Sequence, residues 1–214
     1  MLNKYNSMNN NGSILQIGKN VLKTAAKNIQ NTQRLLDESF VNAVKLLYKT
    51  KGNIILSGIG KSGIVAKKIV ATLSSTGTLS IYIHPSEAFH GDFGMINSKD
   101  TLIVFSHSGE TKEILDFLRV IKNFKPRNKI IAITSKRNST ISQCADITIL
   151  THVKEENDDE DLKLSPTTST TVTIALGDAL ALALQKLKGF KIDHILRNHP
   201  GGQISKSGRN FNKD

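Results

Sequence analysis

Five short apolar runs, each followed by a polar or glycine-rich turn and then by helical spacing, restrict this chain more than any other feature. They lie at residues 53–57, 80–83, 102–105, 129–133 and 146–150. Leu102, Ile103, Val104 and Phe105 are continuous rather than alternating in hydrophobicity, so both faces of such a strand must be covered. Strands buried on both sides and separated by helices need crossover connections, which means a doubly wound parallel sheet of the α/β class. The expected order is flavodoxin-like, with the loops after the first and third strands side by side at the carboxyl edge.

Both of those loops can cradle an anion. After the third strand come Ser106, His107, Ser108, Gly109, Glu110 and Thr111, with Lys112 and Glu113 opening a helix. Free backbone N–H groups and the positive helix end then aim at one point, and Ser106, Ser108 and Thr111 add hydroxyl donors. Taken alone, the stretch reads equally well as an ordinary capped turn. After the first strand, Gly58, Ile59, Gly60, Lys61, Ser62 and Gly63 make a second glycine-rich turn. It lacks the four-residue gap of a Walker loop. It does satisfy a dinucleotide fingerprint, but His84 and Pro85 stand where the ribose-binding carboxylate belongs.

Around this frame, residues 14–51 carry apolar positions three or four apart, among them Val21, Leu22, Ala25 and Ile29, then Phe40, Ala43, Val44 and Leu47. Two N-terminal helices are expected, with a break near Asp37, Glu38 and Ser39 or else one bent helix, and their apolar faces are larger than a short prefix needs. The second strand runs into a loop with His84, Glu87, His90 and Asp92, all able to move protons, and His90 is expected to close a short helix. Residues 154–163 are an acidic run expected to be solvated and mobile. Residues 165–171 hold six hydroxyl side chains in seven positions before a long apolar helix. One cap does not need that many, so Thr167, Thr168 and Ser169 are read as contacts for ligand oxygens.

Composition removes several function classes. The chain carries 29 basic and 18 acidic residues, a formal charge of +11, but the lysines are scattered and tryptophan is absent. That distribution argues against nucleic acid as the primary ligand and suits a field that attracts anionic metabolites. Cys144, the single cysteine, allows no internal disulfide and fits a reducing compartment. No stretch is long enough to span a bilayer, and the N-terminus has no apolar signal core, so a cytoplasmic protein is expected. No metal or cofactor is expected, the histidines being too dispersed for a zinc pattern. The chain divides into tails at 1–12 and 206–214 around one domain at 13–205.

In their order along the chain, GIGKSG, HPSEAFHGD, SHSGET, SPTTSTT and HPGG resemble the sugar isomerase (SIS) domain of arabinose-5-phosphate isomerases. The likeness runs from about residue 14 to 205, and the HPSEAFHGD and HPGG segments narrow it beyond the serine turn that many sugar isomerase domains share. The resemblance implies interconversion of D-ribulose 5-phosphate and D-arabinose 5-phosphate, a step toward the Kdo sugar of lipopolysaccharide, by a homo-oligomer such as a tetramer. It implies catalytic positions at Lys61, His90, Glu113 and His199. Gly60, Ser62, His84, Ser106, His107, Ser108, Thr111, Thr167, Thr168 and Ser169 would hold the phosphosugar. Glu113 would suit general-base work in a dry cleft, His90 or His199 could serve ring opening, and His199 could come from a neighbouring subunit. Three departures are visible. Relatives usually continue into a pair of CBS domains, an acidic insertion replaces a Cys-Pro segment before the threonines, and His107 stands where asparagine is more usual. The competing expectations are a non-catalytic sugar-phosphate sensor and an isomerase of another phosphosugar.

Overall fold

Residues 11–157 and 161–200 are described by the structure, a computed structural model. The first elements of the described residues are α1 (Asn11–Arg34) and α2 (Glu38–Lys49). The break falls where expected, because Asp37 caps α2 by accepting from the Ser39 N–H at 2.9 Å. Then come β1 (Ile54–Gly58), α3 (Gly60–Ser75), β2 (Ser80–Tyr82), two 3₁₀ turns (Glu87–His90 and Asp92–Met95) and β3 (Thr101–Phe105). The remainder is α4 (Lys112–Phe124), β4 (Lys129–Thr134), α5 (Thr140–Cys144), β5 (Ile147–Leu150), α6 (Thr168–Leu187) and α7 (Ile192–Asn198). The expected N-terminal tail lies outside the described residues except for Asn11 and Gly12, which are already helical. Gly201, Gly202 and the C-terminal tail also lie outside them.

Among the described residues the strands form one all-parallel sheet in the order β2-β1-β3-β4-β5, the order expected. Alternation sends Leu56 of β1, Ile103 and Phe105 of β3 and Ile131 of β4 to one face, packed against α2, α3 and α6. Leu102, Val104, Ile130 and Ala132 face the other way, toward Ile114, Phe117, Leu118 and Ile121 of α4. The two-sided cover explains the continuous hydrophobicity of the strands. Register then levels the ends: Gly58 at the end of β1 pairs with Phe105 at the end of β3, so the two glycine- and serine-rich turns emerge side by side.

The helix α1 behaves differently. It packs along α6, yet the only residues it buries are Thr24 and Thr32, while Ile14, Leu15 and Leu22 stay exposed. Thr32 anchors it by donating to the backbone oxygen of Thr151, just past β5, at 2.5 Å. An apolar groove of about 210 Å³, lined by Ile29, Leu36, Val172 and Leu176, runs between α1 and α6.

Two glycines of the carboxyl-edge turns separate conformational from steric need. Gly109 has φ +72°, and a Cβ there would sit 2.2 Å from the Ser139 Oγ and 2.3 Å from its Cβ. Gly60 has φ +58°, but a Cβ there meets nothing within 4 Å. Gly109→Ala is therefore expected to lower stability by about 3 kcal/mol or more, and Gly60→Ala by only about 1 kcal/mol. Urea midpoints of the two variants, at unchanged slope, check the difference.

Candidate functional site

The crevice is built from ends of elements, where backbone donors lack helical partners. After β3, the turn closes on itself. The buried Ser106 Oγ receives the Gly109 N–H at 3.0 Å and exchanges a hydrogen bond with the Thr111 Oγ1 at 2.7 Å, while Ser108 Oγ accepts from the Glu110 N–H at 3.2 Å. The same turn is clamped from the β4 side. The His107 backbone oxygen accepts from Ser135 N at 3.1 Å, Ser135 Oγ at 2.8 Å and Thr134 Oγ1 at 3.1 Å. Glu110 has a purely structural post. Its carboxylate holds the start of α5 through the Thr140 hydroxyl at 2.7 Å and N–H at 2.8 Å, and those two bonds keep it below the usual carboxylate range.

The turn after β1 sits against this one. Gly58 and Gly63 touch so closely that a Cβ on Gly63 would lie 2.8 Å from the Gly58 oxygen and 2.8 Å from the Tyr82 hydroxyl. Tyr82 donates to the Gly58 oxygen at 2.7 Å, a fastening from β2 that the sequence did not flag, and burial pushes its phenol up. Ser62, in the first turn of α3, then lines a small cavity of about 20 Å³ together with Ser106, His107, Thr134, Thr151, Ser169 and Thr170. Separate chain segments thus converge on one point. The Thr151 hydroxyl, buried on that wall, has no hydrogen-bond partner among the described residues. It is a polar group of the site for which sequence spacing offered no signal.

The hydroxyl run at the start of α6 departs from expectation. Its donors already have an acceptor, Glu156, from the acidic run expected to be solvated. Glu156 is buried, as is Asn157, so that expectation is corrected for these two residues. Its carboxylate accepts from Thr167 N at 3.0 Å, from Ser169 N at 2.9 Å and from the Ser169 hydroxyl, and Thr168 Oγ1 donates to its backbone oxygen at 2.5 Å. An anion at a helix N-terminus is what the free N–H groups and the helix dipole favour. Here the chain supplies that anion itself. The remaining threonines turn back on the helix: Thr170 and Thr171 both donate to the Thr167 oxygen, at 2.8 and 2.9 Å.

His107 is half-buried on the crevice floor. Burial lowers its imidazole below the usual range and Lys136 adds to this, while Glu156 acts in the opposite sense. His84, also half-buried, accepts from Ser86 N at 3.3 Å through its Nδ1 and sets its ring edge-on to Tyr82. Gly60 and Lys61 are exposed or nearly so at the head of α3, Glu113 is exposed in the first turn of α4, and His90 is exposed at the end of its 3₁₀ turn, as expected. That segment is stacked onto α4 through Phe93 and Phe117, whose rings lie 5.3 Å apart.

One predicted residue is carried away from the others. His199 follows α7, whose last residue, Asn198, donates to the Ser75 oxygen at the C-terminal end of α3. Lys61 heads the same helix, and a helix of 16 residues is about 24 Å long. Within one chain, then, His199 sits at the end of the domain opposite the crevice. Among the described residues no three His, Cys, Asp or Glu side chains converge on a point that could hold a metal ion, and no helix is long and apolar enough to cross a membrane.

A five-stranded parallel sheet covered by helices on both faces, with hydroxyl-bearing turns side by side at its carboxyl edge, defines the class: a doubly wound α/β domain with a polar crevice at that edge. The chain belongs to the SIS domain family, which it matches over residues 46–183. It is 48% identical over 179 residues to the arabinose 5-phosphate isomerase KpsF of Escherichia coli, covering 83% of this chain and 55% of that protein. The arabinose 5-phosphate isomerase KdsD of Yersinia pestis is 39% identical over 191 residues, 89% of this chain and 57% of that protein. The chain thus spans little more than half the length of these curated relatives. The solved structure of E. coli CFT073 c3406 in complex with arabinose 5-phosphate superposes with a TM-score of 0.84 at 37% identity, covering 89% of this chain and 100% of that one.

Two outcomes follow from the site's polar contacts. Glu156→Ala leaves two amides and a buried hydroxyl without their acceptor, so it should cost about 1–3 kcal/mol in urea denaturation, with Glu156→Gln costing less. His107 and His152 are both held below the usual range, burial being the larger cause in each. The unfolded chain takes up their protons first as pH falls. Stability should therefore be at its full value above about pH 6.5 and decline below it, levelling off once the folded histidines are also protonated. Denaturation from pH 8 to pH 5 checks this, and His107→Asn should flatten part of the slope.

Proposed function

We propose that this protein is an aldose-ketose isomerase that interconverts D-arabinose 5-phosphate and D-ribulose 5-phosphate in the cytoplasm, on the route to Kdo and lipopolysaccharide. The observation that carries the reading is the convergence of Ser62, Ser106, His107 and Ser169 on one crevice floor, from segments far apart in sequence. The names of KpsF and KdsD, and the sugar phosphate bound in the related complex, support that substrate.

In this reading the phosphate docks on the turn after β3. Ser108 and the exposed face of the turn provide donors, and Ser106 and Thr111 keep the turn in shape. Lys61 offsets the negative charge of the phosphate or of the enediolate. With the sugar open, Glu113 removes the proton from C2 of the aldose and the C1 carbonyl becomes the enediolate oxygen; return of that proton to C1, with the O2 hydroxyl proton passing to O1 as C2 becomes the carbonyl, yields the ketose. His90 or His199 moves the hydroxyl protons during ring opening. Glu113 and His90 are exposed in a single chain, and His199 lies at the far end of α3. The assembled site therefore needs a second copy, which would deliver His199 and exclude water. The apolar groove beside α1 and the exposed Ile14, Leu15 and Leu22 suit such a homo-oligomer, for which a tetramer is our reading.

The same separation of His199 from the crevice favours a second reading, a binding module that senses sugar phosphates without turnover. An isomerisation assay on arabinose 5-phosphate, run beside ligand-induced melting shifts, separates the two. Turnover supports the enzyme, and a melting shift without turnover supports the sensor. Glu113→Gln should lose turnover by about 100-fold or more while still binding, and retention of near-wild-type rates removes Glu113 from the mechanism. Ser108→Ala should mainly raise KM, since phosphate contacts are shared by ground and transition states. Ser106→Ala should raise KM and also lower the melting temperature, because its hydroxyl organises the turn.

A further inference from the structure

We infer that His107 couples binding of the phosphate group to uptake of a proton, so that the affinity of the crevice for phosphosugars falls as pH rises through the neutral range. The inference rests on the phosphosugar reading above and adds a linkage to it. Three geometric facts carry it. His107 lines the crevice floor with Ser62, Ser106 and Ser169, on the turn to which the phosphate is assigned. Its backbone oxygen is fixed by three donors from Thr134 and Ser135, so the residue cannot leave the site when a ligand enters. The charged groups that face it are few. Glu156 approaches from the segment before α6 and Lys136 from the loop after β4, whereas α3 and α6 present the hydroxyls of Ser62, Ser169 and Thr170.

With the crevice empty, burial and Lys136 outweigh Glu156 and the imidazole is neutral at pH 7. A phosphate dianion at hydrogen-bonding distance reverses that balance. An opposite charge within a few ångströms favours the protonated form and so raises the imidazole in the complex. The proton comes from solvent, and the imidazolium then donates to a phosphate oxygen. Asparagine at this position would donate without any change of charge. Histidine at this position offers instead a donor whose strength follows pH.

Calorimetric titration of the full chain with arabinose 5-phosphate at pH 7.5, in two buffers of different ionisation enthalpy, reads the proton directly. The sugar phosphate is already mostly dianionic there, its second ionisation lying near about pH 6. Net proton uptake, more than zero and at most one per ligand, is expected, with a Kd several-fold weaker at pH 8.5 than at pH 7. His107→Asn should bind with neither effect. To keep a folding defect in that variant from deciding the matter, the His107 imidazole of the wild type is also titrated by NMR with and without ligand, and its midpoint should rise in the complex. Binding without proton uptake, uptake that persists in His107→Asn, or an unmoved imidazole midpoint overturns the inference and leaves the phosphosugar reading standing. Absence of binding to either arabinose 5-phosphate or ribulose 5-phosphate overturns both.

Discussion

The crevice depends on one hydrogen-bonded clamp. Three donors from the end of β4 and the residue after it converge on a single backbone oxygen, that of His107, and so lock the turn after β3 against its neighbour. A parallel sheet alone would not do this. Its carboxyl edge ends in unpaired backbone groups, and each turn could settle its own hydrogen bonds separately. Because Thr134 and Ser135 donate across the gap, the turns after β3 and β4 become one wall, and the hydroxyls on it acquire fixed positions. Gly109 is part of the same clamp, since only a residue without a Cβ fits beneath Ser139.

The opposite wall is organised by a charge instead. Glu156 serves the N-terminus of α6 with the anion that end of a helix attracts, pairing the Thr167 amide and the buried Ser169 amide. A helix end kept open for a ligand would carry the cost of unpaired amides in the empty protein. Here the cost is offset internally, and the crevice retains a carboxylate opposite His107. Stability and electrostatics of the site are thus coupled through one side chain from a segment whose composition reads as solvent-facing.

A single copy of the chain also leaves surfaces unused at both ends. The helix α1 covers α6 but exposes much of its own apolar surface, and α7 carries His199 to the end of α3 remote from Lys61. In the proposed function both would serve between copies of the chain.

Much of the fold was legible in the sequence because it follows from periodicity. Continuous strands such as residues 102–105 must be covered on both faces, that cover requires crossover helices, and handed crossovers leave few strand orders; the observed order is the expected one. Glycine- and hydroxyl-rich turns likewise announced where the crevice would lie, since helix starts and tight turns have strong local chemistry. What local chemistry could not reveal was pairing at a distance. The burial of Glu156, the unpartnered Thr151 hydroxyl, the Tyr82 fastening and the remoteness of His199 each depend on which segments meet in space. An acidic residue among acidic neighbours looks solvated until a helix end arrives to accept it, and only the folded chain brings that helix end to the carboxylate.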